Sequence, residues 1–189
     1  WLNNLQFCTQ TSTCSYYSRC ILGYYISYRA PSYIATAKTI LSALCPKNSK
    51  GKRPWPCHGK FKTLVVDNGA EFWSHNLDNA CLDLDIDIQY AKIGKGYGKP
   101  YIEGFFNLMN KRFISTLEGK TFSNPIERAR YASEKKACIP FSAFVKAFET
   151  WIVDEYHYTP NAMQTDVPML NWTRSIEKIQ PHPLSETQQ

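Results

Sequence analysis

The chain has 189 residues, 43% hydrophobic, 14% aromatic and 20% charged, which suits one packed domain with a tail and excludes a disordered chain. No apolar run approaches the roughly 20 residues that span a bilayer, and the start, Trp1-Leu2-Asn3-Asn4, reads as mid-protein sequence rather than a signal peptide. The net charge of +6 is uneven: residues 1–66 carry nine Lys or Arg and no Asp or Glu, a footprint that suits a polyanion such as nucleic acid.

Residues 20–28 are rich in aromatic and β-branched types and predict a strand. Pro31-Ser32 then opens a helical pattern with Ile34, Ala37, Ile40, Leu41 and Leu44, which stops at Cys45-Pro46. A loop from Lys47 to Gly59 follows, loaded with Lys, Arg, Gly and Pro, and its Lys50, Lys52 and Arg53 are candidate DNA contacts against the alternative of a solvated loop. Residues 61–66 predict a short buried strand ending at Asp67-Asn68-Gly69. A helix over Ser74–Leu84, capped by Ser74, comes next with Leu77, Ala80, Cys81 and Leu84 as its buried stripe. Ile86, Ile88 and Tyr90 alternate along a second short strand, and Gly94, Gly96 and Gly98 predict a mobile loop.

Helix Tyr101–Leu117 has the clearest pattern. Ile102, Phe105, Phe106, Met109 and Phe113 form one apolar stripe, while Glu103, Asn107, Asn110 and Lys111 recur on another face. Residues 119–140 are weakly patterned. A last helix over Phe141–Tyr158 packs Phe144, Phe148, Trp151 and Ile152, and from Thr159 the Pro- and Asn-rich chain reads as extended. The order of elements describes an α/β domain with a mixed sheet, residues 1–158, followed by an extended C-terminal linker, 159–189.

The seven cysteines are odd in number and include no CxxC pair, which favours a reduced intracellular protein over a disulfide framework. Cys57-His58 has no partner pair at the spacing of a structural zinc site, so none is expected. The four histidines, His58, His75, His157 and His182, form no cluster along the chain and read as structural or exposed.

Asp67 and Glu103 are the informative carboxylates. One ends a buried strand, at the edge where open α/β sheets place their sites, and the other starts a helix after a Gly-rich loop. Such a pair suits hard divalent cations, and two metals about 4 Å apart can clamp the attacking and leaving oxygens of a phosphodiester. Spacing and context alone weigh equally for a turn Asp capped by its own loop and a Glu favoured by the helix dipole. Glu71, four residues after Asp67, reads as a bystander.

Leu64-Val65-Val66-Asp67-Asn68-Gly69-Ala70-Glu71-Phe72 resembles the second-aspartate motif of the retroviral integrase superfamily, which includes phage Mu-type bacterial transposases. Lys99-Pro100-Tyr101-Ile102-Glu103-Gly104 resembles the third-acid motif, with the 35 intervening residues of the D-x35-E signature. Tyr17-Ser18-Arg19-Cys20-Ile21-Leu22-Gly23 and Tyr156-His157-Tyr158-Thr159-Pro160 are similar to two further motifs of the bacterial members.

The resemblance implies an RNase H-like mixed sheet flanked by helices, its N-terminal strands incomplete, and metal-dependent DNA strand transfer. It implies Asp67 and Glu103 as catalytic, metal-binding acids for two Mg²⁺ (or Mn²⁺) ions. It implies DNA contacts from the Glu103 helix at Asn107, Lys111 and Arg112, and Lys95 and Lys99 on the Gly-rich loop are further candidate phosphate contacts. The implied partners are mobile-element ends, target DNA and further copies in a synaptic complex, in the bacterial cytoplasm. The departure is the first aspartate: no acid precedes Asp67, and Ser15 stands where relatives carry a further Asp. A catalytically inactive nucleic-acid-binding or assembly module of the same fold is therefore the alternative.

Overall fold

The computed structural model describes residues 13–28, 32–49, 51–66, 75–90, 99–117, 139–160 and 166–178. Strands β1 (Thr13–Cys14) and β2 (Ile21–Gly23) pair antiparallel. Their connection is tied by Ser15: its carbonyl accepts from Arg19 N–H at 2.9 Å and its hydroxyl from Ser18 N–H at 3.2 Å. An Asp in that place offers the same acceptor to the turn.

Helix α1 (Tyr33–Leu44) begins where the sequence predicts, with the Ser32 hydroxyl accepting from Ala35 N–H at 3.4 Å, and ends before Cys45-Pro46. It crosses β2 at Gly23, where a Cβ would stand 2.7 Å from Thr39 O and 2.8 Å from Ala43 Cα. Only hydrogen fits. The predicted strand over 20–28 therefore stops at Gly23, and Tyr24 N–H turns to the Ser42 hydroxyl at 3.4 Å instead of to a ladder.

Strand β3 (Thr63–Val66), helix α2 (His75–Asp83) and strand β4 (Asp87–Tyr90) form a βαβ unit, with β3 and β4 parallel from Thr63↔Asp87 to Val66↔Tyr90. The predicted Ser74 cap lies outside the described residues. The other end of α2 closes with Ile86 N–H on Cys81 O at 2.7 Å and Asp85 N–H on Leu82 O at 2.9 Å, Asp85 adopting φ 54. This two-bond stop also buries Ile86 against Cys81.

Helix α3 (Lys99–Arg112) buries Phe105 and Met109, as the stripe predicts. Its expected continuation to Leu117 tightens into a 3₁₀ turn at Ile114–Thr116. Helix α4 (Phe141–Asp154) is likewise followed by a 3₁₀ turn, Tyr156–Tyr158. Between them an aromatic core assembles: Phe105, Phe113, Phe144, Phe148, Trp151 and Tyr156. The Phe113 and Trp151 rings stack 5.5 Å apart, and Phe105 meets Tyr156 edge-on at 4.8 Å.

Beyond Thr159 the extended reading fails. Helix α5 (Pro168–Lys178) forms there and buries Met169 and Trp172. Proline suits the first helical turn, where its missing N–H costs nothing, and Met169, Trp172 and Ile176 share one face against the main core. The described chain is thus mixed α/β, with five α-helices and two two-stranded sheets. No helix among the described residues is long and apolar enough to cross a membrane.

Candidate nucleic-acid interface

Burial of Phe105, Met109 and Phe113 fixes which way α3 faces. Glu103, Asn107, Asn110, Lys111 and Arg112 are consequently all exposed, and a Cβ at Gly104 would touch nothing within 4 Å. Glu103, Asn107 and Lys111 recur every four residues, so they line one solvent face. Lys111 and Arg112 occupy the last turn, where cations complement the helix dipole.

The start of α3 is held by a contact that sequence reasoning missed. Arg19 adopts φ 67, and its guanidinium carbon lies 2.9 Å from the centre of the Tyr101 ring and 5.2 Å from that of Tyr16. Tyr16 and Tyr101 meet edge-on at 5.1 Å, and Arg19 O accepts from the Tyr156 hydroxyl at 2.9 Å. The β1–β2 turn is thereby clamped to the helix two residues before Glu103. The sequence quotes Arg19 within a motif but does not say what it stacks on.

Asp67, Lys50 and Lys95 lie outside the described residues, and of Lys99 only the backbone is described. Strand β3, expected to be buried, is buried only at Val66, immediately before Asp67, while Val65 is 51% exposed.

The basic loop separates into parts with different fates. The Asp154 carboxylate at the end of α4 accepts Lys52 N–H at 2.9 Å and Arg53 N–H at 3.0 Å, one amide on each oxygen. Gly51 lies close against that carboxylate, where a Cβ would come within 2.9 Å. Arg53 stacks its guanidinium 3.8 Å from the Tyr158 ring centre, and Lys52 is exposed. Lys47 turns inward: its ammonium donates to Cys57 O at 3.3 Å and Cys45 O at 3.4 Å and lies 5.1 Å from the Trp55 ring. Burial pushes Lys47 down to about 8. No local sequence signal could have found Asp154, since it lies about a hundred residues from the loop it anchors.

The arrangement offers two exposed polar surfaces, one carboxylate-and-cation face on α3 and one anchored cationic loop. Phosphate oxygens match the Lys and Arg groups of both.

Comparison with known proteins gives this chain relatives. The family described as the TnsB C-terminal domain matches residues 3–119. The transposase of transposon Tn552 from Staphylococcus aureus is 29% identical over 156 residues, covering 82% of this chain and 30% of the relative. The Tn7 transposition protein TnsB of Escherichia coli is 25% identical over 141 residues, 70% of this chain and 19% of the relative. The chain thus spans less than a third of either relative's length.

Proposed function

The chain belongs to the TnsB C-terminal domain family, and from that premise we propose that it is the catalytic core of a DDE-type transposase, RNase H-like in fold and acting in metal-dependent DNA strand transfer. The observation that carries this reading is the solvent face of α3, where Glu103 stands exposed one turn ahead of Asn107 and two ahead of Lys111. A carboxylate so placed is accessible to a hydrated hard cation, and Asp67, directly after β3, is its proposed partner. Two Mg²⁺ or Mn²⁺ ions held by these acids would supply Lewis-acid polarisation of the scissile phosphate.

The chain's own cations do the rest. Lys111, Arg112 and Asn107 take phosphates along α3, and Lys52 and Arg53 take them along the anchored loop, with Lys50 of that loop and Lys95 and Lys99 of the Gly-rich loop added from the sequence. Fixing the strand against the attacking hydroxyl is the larger share of catalysis in such reactions. The DNA partners on this reading are element ends and target, and further copies of the chain join in a synaptic complex.

Ser15, standing where the resemblance expects a further Asp, favours a second reading, a DNA-binding or assembly module without chemistry. Asp67 and Glu103 alone offer two negative charges to four positive ones, so paired metal occupancy by these two acids should be weak. The test measures Mn²⁺ binding by electron paramagnetic resonance, duplex binding by anisotropy, and joining of a pre-cleaved DNA end. The expected result is DNA binding without joining, and Mn²⁺ affinity that falls in Asp67→Asn and Glu103→Gln. Mn²⁺ binding unchanged in both variants, with no affinity for duplex, would refute the core assignment. Joining that Glu103→Gln abolishes would instead remove the second reading.

A further inference from the structure

Outside the interface, the fold brings together three metal-ligating side chains that lie far apart in the sequence. Cys20 immediately precedes β2, Cys57 lies in the segment after α1, and His157 is in the 3₁₀ turn after α4. All three are 0% exposed, and their ligating atoms lie within 4.8 Å of one another. We propose that Cys20, Cys57 and His157 form a buried three-donor site for a borderline-soft divalent cation, Zn²⁺, independent of the strand-transfer reading.

Three features of the site carry the inference. The donor set, two thiols and an imidazole, is one that selects zinc over the hard cations expected at Asp67 and Glu103. Tetrahedral bonds of about 2.3 Å to sulfur and 2.0 Å to nitrogen separate ligand atoms by about 3.5–3.8 Å, so donors within 4.8 Å need draw in by about 1.3 Å at most. His157 also carries a buried Nδ1 that has no hydrogen-bond partner. The core has provided a ring nitrogen with nothing to bind.

Charge also balances. Ligation releases the two thiol protons, and one Zn²⁺ with two thiolates and a neutral imidazole is uncharged, as a dry interior requires. Burial pushes the Cys57 thiol up, an effect the nearby Lys47 ammonium opposes only in part, so the thiolate forms with the metal rather than before it. The fourth position is left to a small ligand such as water.

Zinc has one local consequence. At present His157 Nε2 accepts Ile21 N–H at 3.1 Å. If Nε2 ligates, its lone pair is taken. If Nδ1 ligates, the ring proton moves to Nε2. Either way the Ile21 amide loses its acceptor.

The experiment uses the 189-residue chain, stripped with chelator and reloaded with Zn²⁺ or Co²⁺. One zinc per chain is expected, with two sulfur scatterers by X-ray absorption and a thiolate-to-cobalt charge-transfer band in the Co²⁺ form. Cys20→Ser and Cys57→Ser should each weaken zinc binding by at least about a hundredfold while circular dichroism remains native. The Ile21 amide should exchange faster in the zinc form. A chain that retains no zinc, or holds it in an oxygen-only shell, overturns the proposal. So does affinity unchanged by both serine variants. Should those variants fail to fold, the ligand shell and the Ile21 amide of the wild-type chain decide the matter alone.

Discussion

Gly23→Ala tests how closely β2 and α1 are locked. The added methyl would stand 2.7 Å from Thr39 O and 2.8 Å from Ala43 Cα, and nearer still to Ala43 N. Ordinary contact begins at 3.4 Å, so α1 must retreat from the strand by roughly 1 Å. All three obstructing atoms are backbone, and no rotamer change relieves them. Overpacking of this kind costs about 1–3 kcal/mol, and the rigid obstruction puts the expectation at the upper end, about 3 kcal/mol. That is a large share of the roughly 5–15 kcal/mol that holds a domain together. Urea denaturation followed by fluorescence of the buried Trp55, Trp151 and Trp172 measures it. A control separates backbone from side chain: Ala43→Gly removes the Ala43 methyl but not its N or Cα, so it should not rescue Gly23→Ala. A Gly23→Ala chain within about 0.5 kcal/mol of wild type, or one rescued by Ala43→Gly, would refute the close approach.

Other changes probe the interface and the core. Asp154→Ala strips the acceptor from two amides and should lower stability by about 1–2 kcal/mol in the same urea assay, with Asp154→Asn intermediate. Lys52→Ala and Arg53→Ala should each reduce the slope of log affinity against log salt by about 0.9 for duplex DNA, measured by anisotropy across a salt series. Phe148→Ala, at a ring 1% exposed among Phe113, Phe144 and Trp151, should cost about 3–5 kcal/mol. Burial, with Asp78 adding to it, pushes the Cys81 thiol up to about 11. Folding therefore favours its neutral form, and stability present below pH 9 is lost as pH rises through 11. Urea midpoints from pH 8 to 11 should fall more steeply in wild type than in Cys81→Ala.

What the sequence made legible was set by local chemistry. A Ser cap and a Cys-Pro stop bound α1, and a stripe of large apolar residues identifies α3 and α4. Helix α5 escaped because its flanking Pro and Asn suggest loop, although Pro168 only marks its first turn. Strand β2 is shorter than its aromatic composition suggests because α1 lies against Gly23, a contact that no propensity reports. At the interface, exposure of Glu103, Asn107 and Lys111 followed from periodicity. The Asp154 anchor, the Arg19 clamp and the Cys20, Cys57 and His157 cluster join segments far apart in sequence, so they emerge only once the chain is folded.

The division of the core into two clusters has a dynamic consequence. Among the described residues, eighteen buried side chains gather around α3 and α4, whereas six, from α1, β3, α2 and the Ile86 that leads into β4, form the smaller cluster. Free energy of opening scales with buried apolar area, so the smaller unit should exchange its amides sooner, as a separate cooperative segment. Helix α1 belongs to both, giving Ala43 to the larger cluster and Ile40 and Leu44 to the smaller. It joins the part expected to exchange slowly to the part expected to exchange sooner. Glu103 rides on the first, and Asp67 follows directly from the second. Any ligand shared by the two acids would therefore draw down the opening of β3–α2–β4, and amide protection in that unit would report its arrival.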